Sequence, residues 1–269
     1  SSMDEVLDAR ASSFASRAHS LLRVQGYARL RIPQSELSSR LFADAEAFFE
    51  DTLATRGSHI PPMERRQHDS RCGYVCERGR EYLELHPRAA RIDSLAVSGA
   101  VLQDSATAFA NACQELGERV LSEIAASSTK LRALLDAEKV VVEGARATGQ
   151  VPDTSKEGTG TAPAASSSFS ASMIRIHRYT EFADYPPHED LGLLTIAPRA
   201  SIPGLLVQHT ATREWIAIEE LMADDEALLF AGSTLSELCA LAALPHKVSC
   251  CGPADGSLGA GCGGRPPSL

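Results

Sequence analysis

Apolar residues recur every three or four positions in three stretches of the N-terminal half, the pattern of helices that bury one face. Val6 to Leu22 carries Leu7, Phe14, Ala18, Leu21 and Leu22 in that rhythm, and Gly26 closes the segment. Tyr27-Ala-Arg-Leu-Arg-Ile32 then alternates with the period of a half-buried strand, which Pro33 stops. Ser35 can cap a second helix whose apolar face is Leu37, Leu41, Ala45, Phe48, Phe49 and Leu53. Gly57 to Arg80 is polar and reads as a loop, with strand-like pieces at Gly73-Tyr-Val-Cys76 and from Tyr82 to Leu85. From Ser98, the positions Leu102, Ala106, Phe109, Cys113, Leu116, Val120 and Ile124 predict a long helix. Val140 to Val142 is a short β-branched run of strand character.

The pattern changes at Gly144. Up to Ser170 the chain is Gly, Ser, Thr, Ala and Pro with almost no large apolar group, which reads as a flexible loop or insertion. Beyond it, strand-like segments alternate with turn signals: Ser172 to Tyr179, Gly192 to Ile196, Gly204 to His209, Trp215 to Ile218, Ala227 to Phe230 and Pro245 to Ser249. Helices first and antiparallel strands second predict a mainly β protein with flanking helices. The expected core is a double-stranded β-helix, or jelly roll, preceded by a helical N-terminal region. The expected parts are a helical region over 1–143, an insertion over 144–170 and the jelly-roll core over 171–269, in one integrated domain that lacks the last strand of the roll. In the Gly- and Pro-rich tail, Gly259-Ala-Gly261-Cys-Gly-Gly264 spells a dinucleotide fingerprint, but Arg265-Pro-Pro cannot open the helix which that motif needs.

Composition narrows the function. With 43% hydrophobic residues in 269, the chain can bury a sizeable core. A net charge of −9 and a pI near 5.4 argue against a nucleic-acid partner or an anionic membrane. Arg29 with Arg31, and Arg65-Arg66, read as solvated faces. The acidic start lacks the apolar core of a signal peptide, and no apolar run reaches the ~20 residues of a membrane span. The expectation is a soluble, cytoplasmic protein. Its 7 cysteines are then reduced thiols, with Cys250-Cys251 on an exposed loop. His68, Cys72 and Cys76 would share a helix face, but Gly73 and the missing fourth ligand set this second metal site aside.

The chemistry gathers between Arg175 and Ser249. His188 and Asp190 stand two apart, so on a strand both face the same way, and His246 sits on a late strand that a jelly roll can fold back beside them. Two imidazoles and one carboxylate with open positions form the facial triad of non-haem iron(II) oxygenases.

The surrounding order of motifs extends this. It runs His188-Glu-Asp190-Leu-Gly192-Leu-Leu-Thr195-Ile196, Gly204-Leu-Leu-Val207, Trp215-Ile-Ala-Ile218, Ala227-Leu-Leu-Phe-Ala-Gly232-Ser, and Pro245-His246-Lys-Val248. In this order the chain resembles the iron(II)/2-oxoglutarate-dependent dioxygenases, in the branch of isopenicillin N synthase and the plant flavonoid and gibberellin oxidases. Gln25-Gly-Tyr-Ala-Arg-Leu30, Gly73-Tyr-Val75 and Glu81-Tyr-Leu-Glu-Leu85 resemble the family's N-terminal region.

The resemblance implies that His188, Asp190 and His246 are the iron ligands and catalytic centre. It implies Fe(II) as cofactor, with 2-oxoglutarate and O2 as co-substrates for hydroxylation or desaturation of a small-molecule substrate. Tyr179 matches the tyrosine that contacts 2-oxoglutarate, in a strand where His177 replaces the family's asparagine; His177 reads as a core histidine and His209 as an exposed one. The family's arginine that forks onto the far carboxylate of 2-oxoglutarate falls at Gly256 here. The only arginine further on, Arg265, is the candidate anchor. Gly232-Ser stands where the family has Gly-Asp. Two alternatives stay open: an isopenicillin N synthase-like oxidase that does not use 2-oxoglutarate, and a jelly-roll protein that binds metal or ligand without turnover.

Overall fold

The computed structural model describes residues 5–33, 35–54, 73–77, 80–85, 97–137, 172–179 and 184–249. The expectations that fall on Arg65-Arg66, His68, Cys72, Val140 to Val142, 144–170, Cys250-Cys251 and Arg265 lie outside these residues.

The chain opens with a strand and not with the predicted helix. Val6–Asp8 (β1) lies parallel to Tyr27–Arg31 (β2), which places Leu7 in the core. The polar stretch after it turns on itself, with Asp8 Oδ1 accepting from the Arg10 backbone N–H at 2.9 Å. The helix therefore begins later, at Phe14–Gln25 (α1). Gly26 ends it at φ 89°, donating its N–H to the Leu22 carbonyl at 3.2 Å. A left-handed cap of this kind is what glycine adopts without strain.

The alternation across β2 predicts a half-buried strand, yet Tyr27, Ala28, Arg29 and Leu30 are all buried. Helices cover one face of β2 and a second sheet covers the other. Arg29, read from the sequence as solvated, is instead paired with Glu226 at 2.7 Å, both groups almost out of solvent. Isolated, either charge would be far too costly to bury; paired, they offset one another. Arg31 does face solvent and pairs with Asp225 at 2.8 Å.

Ser35–Ala54 (α2) and Val97–Ala125 (α3) are the expected amphipathic helices, and between them Gly73–Glu77 (β3) pairs with Arg80–Leu85 (β4). Cys76 lies on a strand and not on the helix that a shared face with His68 and Cys72 assumed. A short helix over residues 129–137 (α4) follows α3. The remaining strands are Ile174–Tyr179 (β5), Tyr185–His188 (β6), Leu194–Pro198 (β7), Leu205–Gln208 (β8), Trp215–Ala217 (β9), Glu226–Ala231 (β10) and His246–Val248 (β11). Ile218, expected to end β9, opens a 3-10 turn over Ile218–Leu221, and Ser233–Leu238 forms a further helix (α5).

Among the described residues these strands form sheets ordered β1-β2-β10-β7, β6-β11-β8-β9 and β3-β4-β5. Two cores result, one on each face of β2 and β10. Leu30, Ala227 and Leu229 pack with Phe14, Leu41, Phe48, Leu102 and Ile124 of the helices, and with Leu83 and Ile176 of the three-stranded sheet. On the other face Tyr27, Leu228 and Phe230 meet Val207, Ile218, Met222 and Leu244, so the two four-stranded sheets lie face to face. This mixed β/helix architecture is consistent with a double-stranded β-helix fold. Among the described residues, no helix is long and apolar enough to cross a membrane.

Candidate metal centre

The backbone of β6 sets the site. Pro186 and Pro187 have no N–H for a ladder, so β6 belongs at a sheet edge, where it is found. Its register against β11 slips between Val248↔Tyr185 and His246↔His188, an extra residue on β6 that bends it. The slip puts His188 directly across from His246. Two residues remote in sequence thus become a cross-strand pair, with ring centroids 4.2 Å apart.

Asp190 is placed differently from expectation. β6 ends at His188, so Asp190 sits in the loop to β7 and not on a strand. That loop is clamped by the corner between β10 and α5. Ser233 N–H donates to the Asp190 carbonyl at 2.7 Å, Gly232 N–H to the Leu193 carbonyl at 3.0 Å, and the Thr234 hydroxyl to the Leu191 carbonyl. Gly232 is required there because a Cβ would lie 2.3 Å from the Gly192 carbonyl oxygen and 2.8 Å from that of Asp190.

One atom from each of His188, Asp190 and His246 then lies within 4.8 Å of the others. Asp190 Oδ1 is 3.8 Å from Nε2 of His188 and 3.7 Å from Nε2 of His246. Every other donor atom of the three is occupied. Nδ1 of His188 meets the Pro186 carbonyl and Nδ1 of His246 the Leu244 carbonyl, each at 3.0 Å. A carbonyl only accepts, so both Nδ1 atoms carry a proton, and it is the Nε2 atoms that are turned toward Asp190. Asp190 Oδ2 accepts from the Thr195 hydroxyl at 2.5 Å.

Exposure is graded. The His246 side chain is 8% exposed and rests on Phe230, ring centroids 4.9 Å apart, whereas His188 and Asp190 are 32% and 31% exposed. The site is closed beneath His246 and partly exposed at His188 and Asp190. Burial holds His246 below the ordinary imidazole range, against the Leu244 carbonyl and the Asp190 charge, which favour its protonated form. A neutral imidazole is the form that ligates.

Tyr179 ends β5 in the three-stranded sheet, half-buried and stacked on His177 at 5.6 Å, and Tyr82, the cross-strand partner of His177, lies 5.4 Å from that ring. His209, expected on the surface, is half-buried, and its Nδ1 lies 3.3 and 3.2 Å from the backbone N–H groups of Ala211 and Thr212. Sequence reasoning quoted Thr195 only as part of a motif and did not foresee the clamp at Gly232 to Thr234.

Two imidazoles and a carboxylate, with fixed tautomers and an open side, suit a divalent first-row ion. The fold around them is similar to that of solved structures described as oxygenases. Among solved structures, the chain is similar to a protein of Shewanella oneidensis described as an oxygenase, with 21% identity, 91% of this chain and 82% of that one covered, and a TM-score of 0.55. It is also similar to a Neurospora crassa protein in complex with alpha-KG and 5-formyluracil (15% identity, 90% and 76% covered, TM-score 0.56). A third is the Arabidopsis thaliana dioxygenase for auxin oxidation, bound to 2-oxoglutarate (14% identity, 91% and 86% covered, TM-score 0.53). No protein-family model and no curated protein matches the chain.

Proposed function

We propose that this protein is a non-haem iron(II) oxygenase that couples oxidative decarboxylation of 2-oxoglutarate to hydroxylation or desaturation of a small organic substrate. The observation that carries this reading is the convergence of two Nε2 atoms on one carboxylate oxygen, with each remaining donor atom of the triad hydrogen-bonded elsewhere. In this reading His188, Asp190 and His246 hold the ion. An iron(II) ion bound there would supply the redox chemistry for coupling decarboxylation of 2-oxoglutarate to oxidation of a substrate C–H bond. The carbonyls of Pro186 and Leu244 orient the imidazoles, Phe230 shields His246 from water, and the half-exposed side of His188 and Asp190 admits the small molecules. Asp190 serves as a ligand and not as a base. Tyr179 is the co-substrate contact in this reading, and Arg265 the candidate anchor for its far carboxylate. The strands described between Ile174 and Val248 would belong to a jelly-roll core on which the N-terminal helices pack.

One observation favours a second reading. Gly256 stands where an arginine would fork onto 2-oxoglutarate, which fits an oxidase that uses the same iron without that co-substrate. Anaerobic addition of 2-oxoglutarate to the iron(II)-loaded protein separates the two. A visible charge-transfer band that disappears in Asp190→Ala supports the dioxygenase. Iron binding with no band, followed by oxygen uptake with substrate, supports the oxidase. Absence of metal binding refutes both.

A further inference from the structure

The carboxylate of Asp190 is divided between two duties. Its Oδ1 faces the two imidazoles at 3.8 and 3.7 Å, while Oδ2 is tied to Thr195 Oγ1 at 2.5 Å. We propose that Thr195 is a positioning residue that keeps Asp190 monodentate and so preserves a coordination position which a chelating carboxylate would close. This rests on the metal reading above and adds to it the device that sets how many positions stay open.

Carboxylates bind divalent ions through one oxygen or through both. On a six-coordinate ion, two imidazoles and a chelating carboxylate leave two positions; a monodentate one leaves three. A co-substrate that chelates takes two, so the place for oxygen depends on the second carboxylate oxygen being held elsewhere. Thr195 is built to hold it. Its backbone is fixed in β7, where Thr195 pairs with Phe230 of β10, and its β-branched side chain has little freedom about χ1. A hydroxyl donating to a carboxylate oxygen makes a charge-assisted bond of about twice the usual strength. The Ser233 N–H on the Asp190 carbonyl steadies the same residue from its backbone. In the run Leu194-Thr-Ile-Ala-Pro198 the threonine is the one side chain with a polar atom, and that atom faces the ligand.

The test loads the protein with manganese(II) and measures water proton relaxivity per bound ion at saturation, which reports the metal's exchangeable waters. Wild type is compared with Thr195→Val, which keeps the shape and removes the hydroxyl, and with Thr195→Ser, which keeps the hydroxyl. The expected result is a fall of about one third in Thr195→Val and full relaxivity in Thr195→Ser, as one of three open positions is closed. Thr195→Ala replaces the valine variant if circular dichroism shows the latter unfolded. Equal relaxivity in wild type and the hydroxyl-free variant overturns the proposal, and so does a loss in Thr195→Ser. A wild-type protein that binds no manganese overturns the metal reading itself, a result distinct from either.

Discussion

Gly232 offers the sharpest perturbation of the site, because it touches no proposed ligand side chain and carries none itself. In Gly232→Ala the new methyl would lie 2.3 Å from the Gly192 carbonyl oxygen, 2.8 Å from that of Asp190 and 2.9 Å from the Gly192 carbonyl carbon. All three are backbone atoms, so no side chain can swing aside. The 190–192 loop must retreat by about 1 Å to restore ordinary contact. That movement breaks or stretches the bond from Ser233 N–H to the Asp190 carbonyl, now 2.7 Å, and draws Asp190 away from the imidazoles. Overpacking of this kind costs roughly 1–3 kcal/mol of stability. Displacing a ligand's support typically weakens metal binding by about 10–100-fold. Urea unfolding of the metal-free protein reads the first quantity, and manganese(II) titration followed by electron paramagnetic resonance reads the second. Gly192→Ala is the internal control, since its Cβ would find nothing nearer than the Leu194 carbonyl oxygen at 4.0 Å, and it should leave both quantities unchanged. If Gly232→Ala binds manganese as tightly as wild type, the clamp does not position Asp190 and the reasoning fails.

Three further outcomes follow from other parts of the molecule. Glu226→Ala removes the carboxylate paired with the buried Arg29 guanidinium and should destabilise the fold by about 3–5 kcal/mol in urea unfolding, whereas a loss under about 1 kcal/mol would show that the pair contributes little. Burial pushes the Cys113 thiol up to about 12 from 9.0, so at pH 8 its thiolate fraction is lower by about three orders of magnitude. Peptide mapping after iodoacetamide should find Cys113 unmodified in the native protein and alkylated in urea; native alkylation at the denatured rate would contradict its burial. Metal at about a hundred times its dissociation constant should add roughly 2.7 kcal/mol to stability, and this gain should vanish in His188→Ala, which equal stabilisation of both proteins would disprove.

The helices were legible because α2 and α3 expose a single apolar stripe, and the spacing of Leu102, Ala106, Phe109 and Val120 needs no tertiary information. Arg29 was misread for the opposite reason. Alternation along β2 encodes one face in the core, but here both faces are covered, and the pairing with Glu226, remote in sequence, helps to make a buried arginine tolerable. β1 was lost inside a helical pattern because Leu7 and Phe14 fit the same periodicity whether or not a turn separates them. At the site, the residue types of His188, Asp190 and His246 were visible in the order of motifs, while their convergence depends on the slipped register between β6 and β11. Nothing local in the sequence encodes that slip except the two prolines that force β6 to an edge. The roles of Thr195 and Gly232 were hidden because each acts on the ligand loop from another strand or corner.

The placement of these supports explains why the triad is assembled from two sheets and not from one. His188 and His246 belong to the sheet β6-β11-β8-β9, and their Nδ1 atoms are held by carbonyls just upstream of themselves. The loop carrying Asp190 crosses to the opposing sheet, and its restraints, Thr195 on β7 and the Gly232 corner after β10, belong to that sheet. Phe230 of the same strand β10 supports the His246 ring from below. An ion held by all three residues therefore pins the two layers at one edge of their shared core, and a change in the spacing between the layers moves the carboxylate relative to the imidazoles. The apolar contacts of Tyr27, Leu228 and Phe230 with Val207, Ile218 and Leu244 fix that spacing. Core packing and ligand geometry are in this way a single mechanical problem, solved by β10, which contributes to both.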